Sequence, residues 1–165
     1  MTTQEIKKLF AYNAWANSRV FEALSRIPET EYLRDMKSSY ASLGATMVHL
    51  VGAEKIWLSR LVGKPEASLI GLRDAPTLQS LKSVWEDVAA RMARFLAKLD
   101  DGGLQKQVAY TTTEGTRFSN SNGQILQHIV NHSSYHRGQI AAMMRQAGAE
   151  PANTDLIVFF RHTAV

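Results

Sequence analysis

The 165 residues, 45% hydrophobic and 21% charged, match one globular domain large enough to bury a core unaided. The lack of cysteine excludes disulfide frameworks, iron–sulfur clusters, thiolate-held zinc and thiol nucleophiles, so metal or nucleophile chemistry must come from other side chains, among them five histidines. The charge of +4 arises from 19 Lys/Arg against 15 Asp/Glu, with Lys7 and Lys8 the only adjacent basic pair, which describes a solvated surface rather than a nucleic-acid-binding face.

The first residues hold no apolar run that could form a signal-peptide core. The longest apolar stretches, such as Leu156 to Phe160, are far short of the ~20 residues that span a bilayer. A cytoplasmic protein with no membrane or nucleic-acid partner is expected. Helical periodicity then recurs four times. The first helix is predicted from the capping box of Thr2 and Glu5 to Arg26, before Pro28. Its apolar stripe of Ile6, Phe10, Val20 and Leu24 is interrupted by Asn13 and Asn17. The second runs from Ser42 to Val62 and stops at Gly63, with Pro65 beyond. The third follows Pro76, with Thr77 as N-cap, and continues to Leu99 before Asp101-Gly102-Gly103. Gln107 to Ser119 is Thr-rich and turns at Glu114-Gly115, the pattern of a short β-hairpin or extended loop. The fourth long helix starts at Ser121 or Asn122 and ends at Gly148, and a last helical turn carries Leu156 to Phe160. Four long amphipathic helices predict an all-α four-helix bundle, a single domain over residues 1–165. Links of about fourteen and about twenty residues between the later helices call for a crossover or a functional loop.

His128, His132 and His136 lie on the fourth helix at spacings of four, each step turning only ~40°. Two histidines at i and i+4 can face one metal ion, but the outer pair is about 12 Å apart along the axis, so only one adjacent pair can share an ion. The same face carries Ile125, Ile129, Ile140 and Met143, so imidazoles occupy seats where apolar side chains pack more cheaply. Gln139 points toward this side as well. A third ligand is expected from another helix, and His49 stands mid-way along the second, among the small residues Ala45, Thr46, Gly52 and Ala53. Small neighbours leave room for an ion and substrate, or serve close helix packing. Spacing alone leaves open the 128/132 and 132/136 pairs, and a metal site against satisfied core histidines. The Glu that zincin proteases carry after the first His is absent, since Ser133 follows His132.

The segment Ile125 to Gly148, ILQHIVNHSSYHRGQIAAMMRQAG, resembles the final-helix signature of the DinB/YfiT-like family of proposed metalloenzymes, which is unrelated to the DNA polymerase of the same name. Tyr12-Asn13-Ala14-Trp15-Ala16-Asn17, His49 with Glu54 and Trp57, and Thr154-Asp155 are similar to the family's other motifs, in order along the chain. The resemblance implies an up-down-down-up bundle, often a homodimer, that holds a divalent metal, commonly nickel or zinc, through three histidines. By position these are His49, His132 and His136, with His128 ahead of the ligand pair, either backing the ligands or lining the pocket.

The resemblance further implies a metal-dependent transferase that uses a low-molecular-weight thiol (bacillithiol, mycothiol or glutathione) on a small electrophilic substrate. With no cysteine in the chain, that sulfur has to be brought in. The alternatives are a metal-dependent hydrolase of a small molecule and a noncatalytic metal-binding stress-response bundle. Asn13 and Asn17 are expected either to line the pocket or to bond neighbouring helices as buried amides. Tyr12, Trp15 and Trp57 are expected in the core or pocket wall. Arg137 is expected either on an anionic substrate or against a neighbouring helix or subunit. His162 is left without a role.

Overall fold

A computed structural model describes residues 1–163. Four long helices dominate: α1 (Thr3–Leu24), α3 (Leu43–Leu61), α4 (Leu78–Ala97) and α6 (Asn122–Gln146). Each begins where its sequence supplies a cap. Thr2 with Glu5, Thr77 with Ser80 and Ser121 with Gln124 form reciprocal capping boxes, and the Ser42 side chain accepts from the Ala45 N–H. Each cap contributes ~1 kcal/mol by satisfying amides that the helix itself leaves unpaired. Gly63 and Gly148 follow α3 and α6 with φ of +72°, a left-handed turn that glycine adopts without strain.

The core has two apolar lobes, and their membership fixes the direction of every helix. Ile6 and Phe10 of α1, Leu58 of α3, Leu96 of α4 and Ile125 of α6 share one lobe. Leu24 of α1, Met47 of α3, Leu81 of α4 and Met144 of α6 share the other. α1 and α6 therefore run one way, and α3 and α4 run the other: up, down, down, up. Because α3 and α4 are parallel, the link over residues 62–77 must travel back along the bundle. It does so against α3, with Glu66 paired to Lys55 and Ile70 packed on Gly52. A Cβ at Gly52 would stand 3.1 Å from the Ile70 side chain, so the link's course depends on that glycine.

Three shorter helices complete the chain: α2 (Glu29–Leu33), α5 (Asp101–Gln105) and α7 (Leu156–Thr163). α7 contains the last helical turn expected over Leu156 to Phe160, whereas α2 and α5 were not expected. In α5 the Asp100 carboxylate accepts from the Gly103 N–H at 2.7 Å, and buried Leu104 anchors the turn, so a segment composed like a helix breaker closes one turn of helix. The expected hairpin is present as β1 (Gln107–Thr111) and β2 (Arg117–Ser121), antiparallel with Tyr110 opposite Phe118. Among the described residues no helix is long and apolar enough to cross a membrane.

Ile129 is 1% exposed and lies one turn before His132. Ile129→Ala is expected to lower unfolding free energy by about 2–5 kcal/mol, through lost burial and the cavity left behind, as read from a urea melt.

Candidate metal centre

The helices that carry the histidines bring three of them to one point. His132 and His136 lie one turn apart on α6, and His49 faces them from α3. The His132 Nε2 is 3.1 Å from the Nε2 of His49 and 3.1 Å from the Nε2 of His136, and all three ligand atoms lie within 4.8 Å of one another. A tetrahedral ion at ~2.0–2.1 Å from each nitrogen requires separations of about 3.3–3.4 Å, so small side-chain adjustments suffice.

Two neighbours set the chemistry of these rings. The Gln139 Oε1 accepts from the His136 Nδ1 at 2.7 Å, which puts that ring's proton on Nδ1 and leaves its Nε2 with a lone pair. The Tyr40 hydroxyl stands 3.0 Å from the His49 Nε2, and its ring stacks on the His49 imidazole at 4.0 Å between centroids. Tyr40 went unnoticed in the sequence because it belongs to no helix. A tight turn with positive φ at Lys37 and Ala41 delivers it.

Burial lowers the His49 pKa from the ordinary 6.5 to about 4, with the adjacent His136 adding to the effect. Burial likewise takes His132 to about 3, helped by His136, His49 and His128 around it. His136 is also lowered by burial, against the opposing pull of the Gln139 bond. At neutral pH the centre is three uncharged imidazoles with converging Nε2 atoms, a donor set that fits a borderline divalent cation. Three protein ligands also leave a coordination position for another molecule.

The sequence pattern of the DinB family matches residues 1–163. The chain belongs to the DinB family. It is 28% identical over 155 residues to protein DinB of Bacillus subtilis (strain 168), covering 90% of this chain and 89% of that protein. It is 22% identical over 150 residues to the uncharacterized protein YizA of the same organism, covering 91% and 92% of the two chains. A crystal structure of a DinB-like protein from Bacillus cereus ATCC 10987 superposes with a TM-score of 0.69 at 20% identity, covering 92% of this chain and 97% of that one, and so shares the fold.

In this DinB-family chain the motif residues Tyr12, Asn13, Asn17, Glu54 and Arg137 are brought together in a buried network, while Trp57 lines the pocket beside His49 and His132. Asn13 and Asn17 are buried, and both donate from Nδ2 to the Glu54 Oε1, at 2.7 and 2.9 Å. The Ser133 hydroxyl donates to the same oxygen at 2.8 Å. The two asparagine Oδ1 atoms accept from the Arg137 Nη1 at 2.7 and 2.8 Å, while its Nη2 donates to the hydroxyls of Tyr12 and Ser134. Of the two roles open to Asn13 and Asn17, the structure selects buried amides. Arg137, 2% exposed, is occupied by α1 and by its own helix, which rules out the substrate-anion role for it. The Tyr12 hydroxyl donates in turn to the Thr154 carbonyl, joining the closing motif to α1.

His128 stays outside the triad. Its ring meets Trp57 edge-on at 5.2 Å and lies 5.6 Å from the His132 ring, and burial lowers its pKa. His162 is exposed near Trp15, far along the chain from the motif histidines. The small neighbours of His49 divide between both expected uses: Gly52 serves packing against the link, and Ala53 lines a pocket together with His49.

Arg137→Met leaves the asparagine oxygens unpaired and Glu54 without its compensating cation. A loss of about 3–5 kcal/mol in chemical denaturation is expected, with Glu54→Gln adding less than its own single effect. The metal-free protein should also show an acid dependence of defined sign. As pH falls through 6.5 the unfolded chain takes up protons at its histidines, while folded His49 and His132 resist until about 4 and 3. Urea midpoints should therefore be level above about pH 7 and fall as pH drops across that window. His132→Leu should flatten the fall.

Proposed function

We propose that the chain is a divalent-metal protein whose ion, nickel or zinc, is held by His49, His132 and His136, and that it transfers a low-molecular-weight thiol to a small electrophile. The observation that carries this reading is the convergence of three neutral imidazole Nε2 atoms beside an open pocket. A divalent ion there supplies Lewis acidity, lowering the pKa of a thiol or water that it meets or polarising a carbonyl. The chain's own residues supply the rest. Gln139 fixes the His136 tautomer and so aims its lone pair. The Tyr40 hydroxyl, at the His49 nitrogen, is placed to donate or accept a hydrogen bond at a reacting group. Trp57, packed edge-on against His128 and Tyr110, forms part of the pocket wall beside His49. Since the chain has no cysteine, the attacking sulfur belongs to a cosubstrate. A homodimer is part of the same reading and is supported by the family resemblance, and the reading places it in the cytoplasm.

Protein purified without a histidine tag is expected to carry one divalent ion per chain by elemental analysis. His132→Ala should reduce occupancy to below about a tenth, and Gln139→Ala should weaken affinity about 10–100-fold. Occupancy unchanged by His132→Ala overturns the ligand assignment. Turnover of electrophiles should require both the metal and an added thiol, whereas turnover with the metal alone would replace the transferase reading with a hydrolase.

A further inference from the structure

The pocket of about 480 Å³ that opens beside His49 and His132 has a second polar end. Arg60 follows His49 by eleven residues on α3, three turns that bring it back to nearly the same face. The two Cα positions are about 16 Å apart along the axis, and the lean of a long helical side chain toward the N-terminus brings the guanidinium nearer the histidines. It lies 4.4 Å from the Trp57 ring and 4.9 Å from the Tyr110 ring, which themselves meet edge to face at 4.9 Å, so it packs against the corner that the two rings form.

This guanidinium has an unusual set of partners. Its Nη2 donates to the Thr111 carbonyl at 3.1 Å, and none of the ion pairs among the described residues includes it. No Asp or Glu lines the pocket. Arg60 is half-buried, and desolvation lowers its pKa, so the protein holds a partly dehydrated cation without giving it an anion. The space between Arg60 and the histidines is walled by flat or apolar groups, Trp57, Tyr110, Ile56 and Phe118, the last 52% exposed at the mouth.

We propose that this pocket binds small organic carboxylates with a flat apolar body, the carboxylate on Arg60, the body against Trp57 and Tyr110, and the far end at His49 and His132. A fixed guanidinium offers two parallel N–H groups to a carboxylate, a geometry that lysine cannot reproduce. The aromatic walls reward a planar body, and the absence of acidic side chains removes the repulsion that an anion would meet. That the bound anion is the electrophilic substrate rests on the transferase reading; that it binds does not.

The test uses 2-naphthoate, with 2-naphthalenemethanol as its neutral counterpart, on metal-free and zinc-loaded protein at neutral pH. Calorimetry on the metal-free protein should show naphthoate binding about tenfold tighter than the alcohol. Arg60→Gln should abolish that preference, and Arg60→Lys should restore only part of it. Because Arg60 also holds the hairpin, the wild-type protein supplies a second readout: the Arg60 Nε–Hε resonance should shift with naphthoate and not with the alcohol. Equal affinities for the two probes, or a preference that survives Arg60→Gln, would overturn the anion site even if zinc still binds. Failure to bind zinc with the naphthoate preference intact would overturn the metal reading and leave the anion site standing.

Discussion

Everything at the centre of this bundle depends on one buried arrangement: Arg137 and Glu54, opposite charges held apart and joined through the amides of Asn13 and Asn17. Each asparagine donates to the carboxylate and accepts from the guanidinium, so two amides satisfy two charges at once. The chain could not bury either charge alone without a penalty of several kcal/mol. The network divides the apolar interior into two lobes and ties α1, α3 and α6 together at the level where the histidines emerge. Ser133, which donates to Glu54, lies between His132 and His136 in no more than one turn of helix. The ligand-bearing turn of α6 is thus locked from behind by hydrogen bonds, not only by packing. Such directional bonds fix the rotation and register of a helix more narrowly than apolar contacts do.

The histidines exploit that rigidity. Their pKa values fall because they are held in a desolvated place and near one another. Three Nε2 atoms, with that of His132 3.1 Å from each of the other two, form an arrangement that has little use as internal hydrogen bonding, since a single proton on the His132 Nε2 cannot satisfy both neighbours fully. A shared cation resolves the conflict, and the same rigidity lets it do so with little rearrangement.

Much of this was legible in the sequence, for identifiable reasons. Helix ends were readable because caps are local: Thr2, Thr77, Ser121, Gly63 and Gly148 act within a few residues of themselves. The crowding of histidines was readable because a spacing of four repeats the helix period. Spacing alone could not choose His132 and His136 over His128, since that depends on where α3 places His49; the family motif made that choice. The roles of Asn13, Asn17 and Arg137 were ambiguous for the same reason: an interrupted apolar stripe marks buried polarity without naming its partners. Tyr40 left no trace because a turn with two positive-φ residues positions it, and neither Lys37 nor Ala41 signals such a conformation. Arg60 gave no motif signal either, as its company on Tyr110 comes from the hairpin folding back onto α3.

The hairpin has one more consequence. A two-stranded ribbon is only marginally stable by itself, and this one is fastened to the bundle by few attachments, Arg60 on Thr111 and Trp57 on Tyr110 among them. The helices that carry the imidazoles are fastened by the full core. The molecule is therefore built from parts of unequal firmness, and the softer part forms the rim of the cleft. Exchanging ribbon side chains such as Phe118 therefore redraws the rim without touching the helices that carry the imidazoles.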